Sequence, residues 1–417
     1  MRVILAGYNT DVENSSATPE TISAAYARIS RDPAPVDQLR RTAAAEVKSA
    51  RKSNRTIVFK YGHGSIAEHA VFNFDILGIS RLAVEALQSF RLTSFTEKSQ
   101  RYIRIGEDWH LPEGFTAREE GMVNRLFQAY GEILEKLDGM GISRTGSRED
   151  ARYILPLATT SQMGMTVNAR ELEHMIRRLS AHPLKEVRDL GKALYRAVMP
   201  VAPSLMIFTE PSEMDRIAHM QPTAVQQVED VVLLECDDDS RVSSWLRGIS
   251  GASDFQSVYS GLGVHDALPR CWELFRADFR VNISATAYAQ LKRHRMSTQL
   301  VTGYEPSLGI TVPPVITEAG LEEMFRKTAD MSADLASELG LNGDYLLTNA
   351  HRRQVRICIN GRELNHFSRL REDEHAQWDI RKIACRMTEL VREKAPETTR
   401  MTCGKSQWEE LTGRSAE

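Results

Sequence analysis

The stretch "ALQSFRLTSFTEKSQRY", Ala86 to Tyr102, runs from an apolar, helix-spaced segment into an acid, a hydroxyl and an arginine at Glu97, Ser99 and Arg101. About two hundred residues later "AYAQLKRHRMSTQLVTGYEPS", Ala287 to Ser307, repeats the layout with other residues at the polar positions. In the first stretch Ser89-Phe90-Arg91 stands seven residues before Ser99, and in the second Arg293-His294-Arg295 stands seven residues before Gly303. In register, the two read as altered copies of one element, and the flanking sequence shows how far the duplication extends.

Before the first copy, "AVFNFDILGIS" alternates Phe72, Phe74 and Ile76 with Asn73 and Asp75, the period of a strand with one buried face. "APVDQLRRTAAAEVKSARKS", "AREEGMVNRLFQAYGEILEKLDGMG", "NARELEHMIRRLS" and "PLKEVRDLGKALYRAV" carry helical spacing. The second half follows the same order. "VEDVVLLEC" and "CWELFRADFRVNIS" read as strands, "ATAYAQLKRHR" and "EAGLEEMFRKTADMSADLASELG" as helices, and "RRQVRICING" as a strand before two last helices. Local identities support the pairing: "GIS" at Gly78 to Ser80 with "NIS" at Asn282 to Ser284, and "NARELEH" at Asn168 with "NGRELNH" at Asn360. A repeat of roughly 200 residues is far too long for a solenoid, so each copy is expected to be a domain. The expected domains are 1–212 and 223–417, joined by a Pro-containing connection. The expected fold class is α+β, each repeat a mostly antiparallel sheet packed with long helices.

The chain has 417 residues, 42% hydrophobic and 26% charged, an ordinary globular composition. With 53 Lys and Arg against 56 Asp and Glu the net charge is -3, so no global basic field draws it to nucleic acid or an anionic membrane. The start, "MRVILAGYNTDVENSS", has no long apolar core and reads as a first strand of a soluble protein. Five scattered cysteines, Cys236, Cys271, Cys358, Cys385 and Cys403, lack metal-type spacing and suit a reducing, cytoplasmic setting. No metal site is expected.

Forked guanidinium donors suit phosphates and carboxylates, and a histidine among them can bond a ring or a diphosphate. Arg293-His294-Arg295 at a helix end therefore points to a negatively charged nucleotide; a solvated basic helix end is the plainer alternative. The pattern Arg-His-Arg, seven residues, serine resembles the signature of the flavin-dependent thymidylate synthases. "FTEKSQRY" is similar to that family's nucleotide-binding loop, "DARYILPL" to the segment with its nucleotide-contacting arginine, here Arg152, and "LREDEHAQWDIR" to its C-terminal helix entry, which places Arg371 at the arginine that contacts the pyrimidine. "KYGHGSIAEHAVFNF" resembles the segment before the signature helix, with His63 and Ser65 at positions near flavin and folate. Asn168 and Asn360 match an asparagine near the flavin, and His174 and His366 another flavin-side position.

Each half has lost what the other keeps. The first half lacks Arg-His-Arg and has Leu179 where the second has Arg371; the second has Gly303 and Glu305 where the first has Ser99 and Arg101, and Asp344 opposite Arg152. The resemblance implies an FAD enzyme making dTMP from dUMP, with methylenetetrahydrofolate as carbon donor and NADPH as reductant. It implies Glu97, Ser99, Arg101, Arg152 and Gln290 around the nucleotide, and Arg371 on the pyrimidine. Arg293, His294, Arg295, His63, Ser65, Asn168, Asn360 and His366 would lie toward the flavin. It also implies a homodimer equivalent to the family's tetramer of half-length subunits, with no cysteine nucleophile. A flavin- and folate-dependent C5 methylase of another uridine nucleotide, or a non-catalytic flavin- and nucleotide-binding relative, are the other readings.

Overall fold

Contacts within the computed structural model, which describes residues 1–15, 17–248 and 254–414, divide the chain into two units. The first comprises Met1–Met220 with Asp330–Leu347, and the second Gln221–Ala329 with Thr348–Glu417.

The first unit holds strands β1 (Arg2–Tyr8), β2 (Val71–Ser80), β3 (Thr93–Glu97) and β4 (Thr160–Asn168). They form an antiparallel sheet in the order β1-β2-β4-β3. The expected alternation on β2 is observed: Phe72, Phe74 and Ile76 are buried while Asn73 and Asp75 face out. Burying each of those three side chains contributes about 1.5–3 kcal/mol. Helices Ala169–Ser180 and Lys185–Val198 pack against each other, so closely at Gly191 that a β-carbon there would meet the Leu179 Cβ at 3.0 Å.

The second unit repeats this topology with β5 (Val231–Cys236), β6 (Arg276–Ser284), β7 (Thr298–Tyr304) and β8 (Arg352–Asn360), in the order β5-β6-β8-β7. The duplication seen in the sequence is therefore a duplication of sheet connectivity. One local difference is the "GIS" and "NIS" pair. The β2–β4 register shifts between Leu77 and Ile79, where Gly78 adopts φ 66°, whereas β6–β8 runs without a shift through Asn282. A bulge with positive φ suits glycine and excludes most side chains, so its loss in the second copy admits asparagine.

A buried serine–carboxylate contact recurs beside each sheet. Ser80 caps helix Arg81–Gln88 and its hydroxyl donates to Glu186 at 2.5 Å; Ser284 caps helix Ala285–Leu291 and donates to Asp379 at 2.6 Å.

Several expected elements differ in extent. The charged run after Pro35 breaks at Glu46 into helices Val36–Ala45 and Val47–Asn54. The first residues of "CWELFRADFRVNIS" belong to a short turn of helix, Arg270–Leu274, and the strand begins at Arg276. Strands β3, β4 and β7 were not expected. β3 and β7 are sheet-edge strands in the polar signature stretches, and β4 is centred on Met163, Gly164 and Met165, residues outside the set enriched in strands.

Candidate active site

In the second unit the Arg-His-Arg triplet lies just past helix Ala285–Leu291, and its three side chains part company. Arg293 and Arg295 are exposed, while His294 is 3% exposed. The ring of His294 packs edge-on against Phe367 at 4.7 Å and stands 5.8 Å from the ring of His366. Arg371, at the end of helix Gly361–Arg371, donates from Nε to His294 Nε2 at 3.0 Å and from Nη1 to Gln290 Oε1 at 3.2 Å. Arg371, His294 and Gln290 thus form one group. Burial lowers the Arg371 pKa to about 10, with the charge of Arg293 adding to the effect, so the guanidinium stays protonated at neutral pH. Burial also lowers the His294 pKa; Glu363 opposes that shift, while Arg371 and His366 reinforce it.

Beside this group lies a cavity of about 370 Å³ with Asn360, Glu363, His366 and Met296 in its wall, within the size range of small-molecule and cofactor sites. Asn360 also caps its helix, accepting the Glu363 N–H at 2.8 Å. The cavity joins two of the flavin-side positions expected from the sequence.

In the first unit the residues of the loop after β3 form a second group. Ser99 Oγ accepts the backbone N–H groups of Arg101 at 3.1 Å and Tyr102 at 3.3 Å, which fixes the turn after β3. Arg101 pairs with Glu149, whose carbonyl accepts Arg152 Nε at 3.2 Å, so both arginines converge on that residue. Burial lowers the Arg152 pKa. Glu97 pairs with buried Arg81 and accepts from Gln88 Nε2 at 3.1 Å and Ser161 Oγ at 3.0 Å. Its carboxylate braces the end of β3 at the base of the loop.

His63 and Ser65 lie on an exposed turn, His63 Nε2 3.3 Å from Arg31 Nη2 and without a capping bond. Asn168 caps helix Ala169–Ser180 by accepting the Glu171 N–H at 2.9 Å, the same role as Asn360. Where His294 stands in the second unit the first has Phe90, whose ring packs 5.6 Å from His174. Where Ser99 stands in the first unit the second has Gly303, and a β-carbon there would lie 3.1 Å from Gln221 Oε1.

The family model for "thymidylate synthase complementing protein" matches residues 12–204 and 259–397. The chain belongs to that family. A flavin-dependent thymidylate synthase of Geobacter sulfurreducens is 32% identical over 193 residues, which are 45% of this chain and 80% of that protein. One from Pyrococcus abyssi is 36% identical over 145 residues, 34% of this chain. The chain spans 59% and 57% of the lengths of the Pyrococcus abyssi and Pyrococcus furiosus relatives. A solved structure of the Helicobacter pylori enzyme complexed with FAD and dUMP is 21% identical, with TM-score 0.39 over 50% of this chain and all of that one. A UMP/dUMP methylase from Streptomyces cacaoi is 23% identical, with TM-score 0.39 over 49% of this chain and 92% of that one.

Among the residues of these groups that were not expected are Glu363, Arg81 and Glu149. Glu363 was legible only as the acid of "NGRELNH", and an acid three residues after a capping asparagine reads as part of the cap. Among the described residues no cluster of side chains could hold a metal ion, and no helix is long and apolar enough to cross a membrane.

Proposed function

We propose that the chain is a flavin-dependent thymidylate synthase, forming dTMP from dUMP with methylenetetrahydrofolate as carbon donor and NAD(P)H as reductant. The observation that carries this reading is Arg371, a guanidinium anchored by His294 and Gln290 beside a cofactor-sized cavity. The fit of that cavity to part of a flavin rests on the polar side chains of Asn360 and His366 in its wall; bound FAD would supply the redox chemistry.

The chain's own residues bind and orient. Arg371 polarises the pyrimidine carbonyl and stabilises negative charge on the ring, which makes C5 a better carbon nucleophile. Ser99, Arg101 and Arg152 hold the phosphate and sugar, and Glu97 keeps their loop in place through Arg81. Arg293 and Arg295, both exposed, would bind the anionic parts of FAD, and His63 and Ser65 would lie toward flavin and folate. Each unit keeps residues that the other has lost, and a homodimer would take the place of the family's tetramer, in a cytoplasmic setting.

The test is to purify the chain, record a flavin spectrum and assay dTMP formation from dUMP with methylenetetrahydrofolate and NADPH. Turnover confined to another uridine nucleotide would move the assignment to a related methylase. Flavin without turnover would leave a binding protein. Two equivalent FAD molecules per chain would contradict the division of labour between the copies.

A further inference from the structure

We infer that Glu363 is a positioning residue: it holds His294 in the tautomer that lets the imidazole accept from Arg371, and so sets the guanidinium that meets the pyrimidine. The inference rests on the functional reading of Arg371 above.

The reasoning begins with donors and acceptors. An arginine Nε–H only donates, so His294 Nε2, 3.0 Å from it, must present a lone pair. The ring is then neutral, with its proton on Nδ1. Nδ1 is buried and makes no hydrogen bond of good geometry; Glu363 Oε1 stands 3.3 Å from it as the carboxylate that faces that proton, and the Glu363 side chain is 9% exposed. In a neutral imidazole the proton's place is set by the bond that the other nitrogen makes. Without Glu363 only the Arg371 donor favours Nδ1–H, whose buried proton would then face no acceptor, while an Nε2–H would meet the Arg371 Nε–H donor to donor.

The helix itself shows that this acid is turned away from its local task. Glu119 occupies the same third position of helix Ala117–Gly139, and its carboxylate reaches back to the Thr116 N–H at 2.6 Å to close a capping box. Helix Gly361–Arg371 has the asparagine cap without the reciprocal bond from Glu363. In the first unit Glu171 holds the equivalent place, yet Phe90 and Leu179 replace the histidine and the arginine, so no relay exists there. The groups that face His294 are Glu363, His366 and Phe367 from one helix and Arg371 at its end, while Gln290 and Arg293 act on Arg371.

The experiment uses full-length protein labelled with ¹⁵N-histidine, with His294→Gln to assign the signal. Two-bond ¹H–¹⁵N spectra read the tautomer, and equilibrium titration reads dUMP affinity. The wild type should show Nδ1–H. Glu363→Gln keeps an acceptor oxygen and should retain both the tautomer and affinity within about threefold, whereas Glu363→Leu should lose the tautomer and about ten- to hundredfold in affinity. Because the carboxylate raises the His294 pKa, Glu363→Gln should also move the acid limb of dUMP binding to lower pH, a readout that survives if the leucine variant does not fold. An Nε2–H wild type, or an unmoved acid limb in Glu363→Gln, would overturn the inference. A wild type with the Nδ1–H tautomer that binds no dUMP would instead overturn the functional reading and leave the relay standing.

Discussion

Arg371 Nε donates to His294 Nε2 at 3.0 Å while Nη1 of the same guanidinium donates to Gln290 Oε1 at 3.2 Å. Nη2 also donates to the Gln290 carbonyl at 3.5 Å, so three donors of one rigid fork are engaged at once and two N–H groups are left to meet a substrate oxygen. A lysine is a point charge on a flexible stem and cannot reproduce that geometry. Arg371→Lys should lower kcat for dTMP formation by about 10²–10³, the scale of losing one preorganised donor at a developing negative charge. The flavin spectrum should be retained. A variant with wild-type kcat would remove Arg371 from the chemistry.

The cysteines supply a second prediction. Burial pushes the Cys236 thiol up to about 12 and raises those of Cys271, Cys385 and Cys403. Thiols held protonated at neutral pH are poor nucleophiles. Treatment with iodoacetamide at pH 7 should leave dTMP formation within about twofold of the untreated protein. Stoichiometric inactivation by alkylation at one cysteine would point to a thiol-dependent mechanism.

What could be read in the chain follows the physics of each signal. β2 was legible because Phe72, Phe74 and Ile76 are strong strand formers with period-two spacing. β4 has equally strict alternation, with Ser161, Met163, Met165 and Val167 buried, but serine, methionine and glycine carry little strand preference. Arg371 and Gln290 were named through the resemblance of their segments to the family, His294 also from its place between two arginines, and the three form one group. Arg101 and Arg152 were also found, but their common partner Glu149 was not, because an ion pair between distant segments has no period or local pattern. Glu363 was hidden for a different reason, since its local pattern already had a sufficient explanation as a helix start.

Stability offers a third prediction. Glu186 is 5% exposed and accepts three bonds, from the Ser80 N–H at 2.8 Å, the Ser80 hydroxyl at 2.5 Å and the Tyr345 hydroxyl at 2.8 Å. Glu186→Leu would strand all three donors, each at a cost of about 1–3 kcal/mol, whereas Glu186→Gln keeps one acceptor oxygen. Thermal melts should rank wild type above the glutamine variant and that above the leucine variant, with several degrees between steps. Equal melting points for the two variants would show that the bonds matter less than side-chain volume.

The last prediction concerns pH. His351 is 1% exposed, its Nδ1 accepts the Thr348 N–H at 2.9 Å, and burial lowers its pKa to about 4. His182 is lowered to about 3, first by burial and then by the charges of His219 and Arg188. In the unfolded chain both titrate near 6.5. Below that value the unfolded state binds protons that the folded state refuses, so stability rises with pH up to about 6.5 and is lost as pH falls through the window below it. For His351 alone the loss by pH 4.5 is on the order of 2 kcal/mol. Denaturant titrations between pH 7 and pH 5, above the range where ordinary carboxylates protonate, should show this slope. His351→Asn offers an acceptor that does not titrate, so its slope should be shallower by up to about 1.4 kcal/mol per pH unit. A slope unchanged in that variant would mean that His351 is protonated in the folded protein, and the Thr348 N–H would then need another acceptor.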